Sequence, residues 1–175
     1  DVINYLPVCL NSLRYKMEKE MGVIYQILAT QANDASTLEK EKWQEQSTEW
    51  TTRSEQTAKA INEWLWDEGG LDEHKNWIRE PGFHDFNINT ELCTKYNIPQ
   101  SRAYNFATSF YPMWVGIASK KQAQETVDRL LPKLQTQWGV MASSRRSGSQ
   151  WDKPFLWAPL VVVTVEALEK YKYYE

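Results

Sequence analysis

The sequence predicts an all-α chain of antiparallel helical hairpins joined by a few short extended connections. Three observations carry this. Leu6, Leu10, Leu13, Met17, Met21, Ile24 and Leu28 recur every three or four residues, the repeat of one long amphipathic helix. The stretch from Thr37 to Leu65 is rich in Glu, Lys and Gln, which lose little rotamer freedom in a helix. Ser119, with Gln122 three residues on, forms a capping box at the head of a third apolar-periodic run.

Taken in order, the first helix stops at the polar break Asn33-Asp34-Ala35-Ser36-Thr37. The second starts near Thr37, with Leu38, Trp43, Trp50, Ala58, Ile61 and Leu65 as a sparser apolar face. Gly69-Gly70, Pro81-Gly82 and Ile98-Pro99 break regular structure across 67–100, where 83–88 reads as a short strand. A third helix is expected over 101–118, bent near Pro112. The helix after Ser119 carries Ala123, Val127, Leu130, Leu131 and Leu134 on one side, and 138–142 suits a short extended piece. Residues 143–149 read as a loop. The last segment is divided: β-branching across 161–165 favours a strand, while Pro159 and Glu166-Ala-Leu-Glu-Lys favour a helix, and propensity leaves it even.

The 175 residues suffice for one domain with a real core, and the chain is read as a single domain over 1–175. It opens at Asp1 and closes at Tyr174-Glu175 in a helix-like run, so both ends read as cuts in a longer protein. A net charge of -3 gives no reason to expect nucleic acid or an anionic membrane surface. No apolar run approaches the roughly 20 residues a membrane span needs. Cys9 and Cys93 make neither a disulfide framework nor a metal cluster and read as unpaired, mostly buried thiols. The lack of an Asn-x-Ser/Thr sequon leans weakly towards an intracellular (cytoplasmic) or bacterial protein. His74 and His84 lack triad partners in recognisable context, Glu73-His74 lacks zinc-site spacing, and Gly69-Gly70 is no phosphate loop. No cofactor is expected. Nine tryptophans are the outlier: about half suit the core, and the others suit a groove.

Residues 149–160, Ser-Gln-Trp-Asp-Lys-Pro-Phe-Leu-Trp-Ala-Pro-Leu, hold a Gln, an Asp and two Trp between prolines. Indoles offer flat apolar faces and the Gln and Asp offer hydrogen bonds, which together suit a sugar's C–H faces and hydroxyl rim. The stretch resembles the second signature of the trehalases, Gln-Trp-Asp-x-Pro-x-small-Trp-x-Pro, departing at Leu156 where that family has Gly or another small residue. Other blocks are similar to the family in the same order. They are Leu6-Pro7-Val8-Cys9-Leu10-Asn11-Ser12-Leu13 with Met17-Glu18-Lys19, Leu65-Trp66-Asp67, Phe83-His84-Asp85-Phe86-Asn87-Ile88, and the aromatic-Pro-Met-Trp-x-Gly run inside 104–134. Residues 68–82 look like an insertion.

The resemblance implies a helix for the divided last segment, and it implies the central part of an (α/α)6 barrel, in which 84–87 and 143–157 are connections at the sugar-binding rim. It implies inverting hydrolysis of α,α-trehalose to glucose by an Asp acid and a Glu base. Neither motif is present, so no catalytic residue is assigned within the span, and the first family signature is also missing. Gln150, Trp151, Asp152 and Trp157 are the candidate substrate-binding residues. Asp152 could bond sugar, orient a neighbouring pocket residue or simply cap its loop; Trp157 could instead anchor the following helix; Arg145 and Arg146 read as solvated, and Asn11 as a capping or helix–helix residue before a pocket one. Cys9 and Asn87 stand where the family carries aspartates, which keeps a second reading open: a non-catalytic helical paralogue or structural subunit on the same scaffold. The expected partners are the disaccharide and the remaining polypeptide, or another chain, that completes the barrel.

Overall fold

The computed structural model describes residues 4–75, 77–90, 101–102, 105–148 and 150–173; expectations for Cys93, Ile98-Pro99 and Ser149 lie outside them. Helices α1 (Val8–Gln31) and α2 (Thr37–Ala60) form one antiparallel hairpin of two 24-residue rods, each about 36 Å long at 1.5 Å per residue. α2 begins on a full capping box that the sequence reading overlooked: Ser36 Oγ accepts from the Glu39 amide at 3.3 Å, and the Ser36 amide donates back to Glu39 Oε2 at 2.8 Å. It ends in a π turn, Ile61–Leu65.

The seam between these helices is small and polar. Ser47 Oγ donates to the Gly22 carbonyl at 2.9 Å, and Thr57 Oγ1 to Glu18 Oε2 at 2.6 Å. Glu18 is 3% exposed and its other oxygen takes Arg14 Nε at 2.8 Å, so the buried charge is both paired and hydrogen-bonded. Gly22 lets the rods approach: a Cβ there would lie 2.8 Å from Thr51 Oγ1 and 3.3 Å from the Thr51 amide nitrogen. The apolar repeat that identifies α1 faces the other way. Leu10, Leu13, Met17, Ile24 and Leu28 all stand exposed, Leu10 by 61%. Periodicity locates the helix without saying which face turns inward.

Short antiparallel strands follow the hairpin. β1 (Tyr5–Leu6) precedes α1; β2 (Trp66–Asp67), β3 (Gly70–Leu71), β4 (Trp77–Arg79), β5 (Gly82–Phe83), β6 (Asp85–Asn87) and β7 (Ser101–Arg102) come after α2. The orders are β1-β6-β7, β2-β5 and β3-β4, with Tyr5 opposite Asn87 and Trp66 opposite Phe83. The segment read as an insertion is thus a hairpin, fastened by an ion pair between Arg79 and the buried Asp67 carboxylate and by Lys133 on Glu80. The short strand read over 83–88 is present as the end of β5 and β6.

The helix expected over 101–118 is not formed among the described residues. β7 is followed by a 3-10 turn, Ala107–Phe110, and by the five-residue helix α3, Tyr111–Val115. Pro112 starts α3 rather than bending a longer helix, and Gly116, at φ 83°, ends it in the left-handed region. α4 (Lys120–Leu134) begins on the anticipated box, with Ser119 Oγ accepting from the Gln122 amide at 3.2 Å. A hairpin of β8 (Gln135–Thr136) and β9 (Gly139–Val140) follows. The divided last segment is helix α5 (Ala158–Lys170): Leu160, Val163, Thr164 and Ala167 are buried, at spacings only a helix aligns on one face. The core lies where the start of α1, the end of α2, β5, α3, α4 and α5 converge, around Val8, Ile61, Phe83, Phe110, Met113, Leu134 and Leu160. None of the described tryptophan side chains is fully buried.

Replacing Gly22 by Ala tests the seam. Helix propensity would favour Ala by about 1 kcal/mol, but the added carbon meets Thr51 and should reverse the sign to a loss of about 1–2 kcal/mol. In denaturant unfolding, Gly22→Ala should lower the midpoint, and adding Thr51→Ala should recover most of the loss. A midpoint raised by Gly22→Ala alone would show that the rods are not in close contact there.

Candidate functional site

The loop from Ala142 to Trp157 is stitched down at its start. The Ala107 amide donates to the Ala142 carbonyl at 2.9 Å, Phe106 bridges Ser143, and Asn105 Nδ2 reaches Ser144 Oγ at 3.1 Å. Further on, the loop folds onto itself. The Arg145 amide donates to Ser143 Oγ and the Lys153 amide to the Arg145 carbonyl, both at 2.9 Å. Asp152 Oδ2 accepts the Ser147 amide at 3.1 Å and the Ser147 hydroxyl as well. The Ser147 hydroxyl bond above all holds the Asp152 carboxyl below its ordinary range; desolvation opposes it, while the Ser147 amide, Ser143 and the charge of Arg145 add to it. Asp152 therefore acts as the loop's internal cap. The Lys153–Pro154 peptide is cis.

Trp151 sits at φ 72°, a left-handed backbone that a bulky residue adopts only under strain of about 1–3 kcal/mol. Its indole stacks on that of Trp157 with ring centroids 6.2 Å apart and planes inclined by 28°, an offset arrangement. Both remain open to solvent, at 42% and 41%. Gln150 is exposed beside them, Asp152 is half-buried, and Arg145 and Arg146 are exposed. The four candidate residues thus share one loop, with two indoles and two hydrogen-bonding side chains on an open face. The indoles can stack on an apolar ring and Gln150 can bond its hydroxyls, while Asp152 Oδ2 is engaged by Ser147.

The second expected connection, 84–87, lies at the start of α1. Asp85 Oδ1 accepts the Val8 amide at 2.9 Å, the His84 amide donates to the Leu65 carbonyl at 2.8 Å, and the Ile88 amide to the Asn4 carbonyl at 2.8 Å. Asn87 is buried, and its Oδ1 accepts the Asn89 amide at 2.9 Å. Cys9 is half-buried rather than enclosed; burial, then the neighbouring Asp85 charge, push its thiol up, so it stays neutral. Burial pushes the His84 imidazole down, against the pull of Asp67. The two connections meet indirectly, through Ser109 Oγ on the Phe83 carbonyl at 2.7 Å and the 105–107 contacts to the loop.

A cleft of about 280 Å³ opens between the start of α1 and the end of α2, lined by Asn11, Arg14, Arg53, Gln56, Thr57 and Trp64 among others. Asn11 also donates to the Pro7 carbonyl at 2.8 Å, a bond inside the first turn of α1 that leaves the turn's amides uncapped, and it lines the cleft. The remaining lining residues escaped the sequence reading, although Asn11 with Arg14, and Arg53 with Gln56, are polar pairs three apart on helix faces. Among the described residues no group of three or more His, Cys, Asp or Glu could hold a metal, and no helix is long and apolar enough to cross a membrane.

A family model described as Trehalase matches residues 2–175. A probable trehalase of Saccharomyces cerevisiae is 32% identical over 177 residues, 94% of this chain and 20% of the relative. The cytosolic neutral trehalase of Kluyveromyces lactis is 32% identical over 184 residues, 99% of this chain and 21% of its own length. The solved structure of neutral trehalase Nth1 from Saccharomyces cerevisiae matches with a TM-score of 0.67 at 28% identity, over 97% of this chain and 29% of that one. The chain spans about a fifth of the length of these curated relatives.

The Asp152 cap has a pH signature. A carboxyl whose folded value is depressed contributes its stabilisation above the ordinary aspartate range and loses it as pH falls through the folded value. The Ser147 amide resonance should therefore stay unchanged from neutral pH down through about 3.9 and shift only below it. Asp152→Asn should abolish that acid step, and a step at or above the ordinary value would contradict the cap.

Proposed function

The chain belongs to the trehalase family, and from that premise we propose that it is the central segment of an (α/α)6 barrel that hydrolyses α,α-trehalose to two glucoses. Its helical hairpins are those of such a barrel. The acid and base carboxylates lie in polypeptide outside residues 1–175, and water attacks with inversion. Gln150, Trp151, Asp152 and Trp157 contribute one wall of the sugar site. The observation that carries this is the open, offset stack of Trp151 and Trp157 on a loop held in shape by Asp152 and Ser147. An exposed indole pair is poorly accounted for by core packing and well suited to a sugar's apolar face.

The bare outer stripe of α1 supports the larger barrel. Leu10, Leu13, Met17, Ile24 and Leu28 form an apolar face on a helix whose other side is already occupied, and such faces ordinarily meet another element. The remaining polypeptide is its proposed cover. A second reading, a paralogue that retains the scaffold without chemistry, draws on Cys9 as a neutral thiol and Asn87 as an internally bonded amide.

A glucose-release assay on trehalose with protein from the complete gene decides between these. Inversion at one anomeric carbon should release one β- and one α-glucose, visible by NMR before mutarotation. Trp157→Ala should raise KM roughly five- to tenfold, equivalent to about 1 kcal/mol of lost stacking. No release from a protein that carries both carboxylates would leave the paralogue reading. Expressed by itself, the 1–175 span should aggregate or require the rest of its polypeptide; a cooperatively folded monomer would contradict the proposed cover.

A further inference from the structure

A loop that offers two indoles to solvent must be held against the protein body by something other than those indoles. Asp152 and Ser147 bind the loop only to itself, and the stitches from Ala142 to Ser144 lie well before Trp151. Leu156 occupies the right place. It is half-buried between Phe155, 58% exposed, and Trp157, 41% exposed. Its Cδ2 lies 3.0 Å from where a Cβ on Gly139 would stand, and the Val161 methyls lie 3.5 and 3.8 Å from the same point.

Gly139 is therefore a notch in the β8–β9 hairpin, and its φ of 132° is a conformation that residues with a Cβ rarely adopt. The hairpin side of the notch is stiff: Thr136 Oγ1 donates to the Gly139 carbonyl at 2.9 Å and accepts the Trp138 amide at 3.1 Å. α5 needs no help from Leu156, because Leu160, Val163, Thr164 and Ala167 seat it in the core. The start of α5 fixes the Trp157 main chain, whose carbonyl accepts the Leu160 amide at 2.9 Å, so the Leu156 contact constrains the stretch of loop just before it.

We propose that Leu156 is a positioning residue: seated in the Gly139 notch, it fixes the Trp151–Trp157 pair relative to the hairpin and so sets the orientation of the sugar-stacking face. It touches no sugar itself. This rests on the reading that the two indoles receive the disaccharide.

The test uses protein from the complete gene and reads trehalose KM and kcat well below the melting temperature, with quenching of tryptophan emission by trehalose as an equilibrium measure. Leu156→Gly should raise KM and the quenching midpoint by roughly fivefold, with kcat changed by less than about twofold, because ground-state and transition-state contacts to the misplaced indoles are lost together. Leu156→Met, which refills the notch, should restore both. Were Leu156→Gly to fail to fold, Leu156→Ala is read by the same criteria. If Trp157→Ala raises KM while the Leu156 variant only lowers Tm, the positioning role is overturned and the sugar face stands. If neither Trp151→Ala nor Trp157→Ala changes KM, or the parent protein shows no response to trehalose, the sugar reading falls and the positioning role with it.

Discussion

The first turn of α1 has no local acceptor for its amides: Pro7 precedes it, the N-cap side chain makes no bond, and no acidic residue lies in that turn. The acceptor comes from 77 residues away, where Asp85 takes the Val8 N–H. A helix start leaves several donors unsatisfied and carries partial positive charge, so an incoming carboxylate serves both needs. That bond, with the β1–β6 pairing and the His84 amide on the Leu65 carbonyl, joins the long hairpin to the strand region. β6 is also where Phe86 meets the edge of Trp64, and it runs on from the residues whose main chain binds Leu65 and Ser109. The start of α1, the end of α2 and the 3-10 turn are all registered to the six residues from Gly82 to Asn87.

The aromatic loop inherits its position from the same place. Ser109 holds Phe83, Ala107 and Phe106 hold Ala142 and Ser143, and the loop proceeds from there to the indole pair. Beyond that chain of short bonds the loop relies on internal capping at Asp152, on the fit of Leu156 into Gly139 and, at its far end, on the Trp157 carbonyl that starts α5. Each link is a small contact with defined geometry. The site is thus built outward from a buried strand, with its most exposed residues furthest from the anchor.

Much of the fold was legible in the primary structure, for reasons tied to short range. The long helices announce themselves by period, and Ser119 with Gln122 announces α4, because caps act over three residues. The 101–118 helix was misread because Pro112 looks like a bend in one long helix, when it starts a very short one that Gly116 ends. Strands of two or three residues carry too little alternation to be seen. The inward face of α1 was hidden as well, since its contacts are made by Ser12, Glu18 and Gly22 rather than by the leucines that mark the repeat. At the site, the Gln-Trp-Asp cluster drew notice by composition and by resemblance. The Asp85 cap and the Leu156–Gly139 fit did not, because both join residues far apart in sequence and one depends on a backbone angle.

The hydrogen-bonded seam of the α1–α2 hairpin has a calorimetric consequence. Unfolding heat capacity rises with apolar area newly wetted, by about 0.45 cal/K/mol per Å², and falls when polar area is wetted. Parting two rods joined through Ser47, Gly22, Thr57 and Glu18 wets polar atoms, and these offset part of the heat-capacity rise from the carbon wetted with them. Uncovering the leucine, isoleucine and methionine stripe on the outside brings little such offset. On the proposed barrel, the curvature of stability with temperature, including weakening in the cold, depends on the cover over that stripe as well as on the hairpin's own closure.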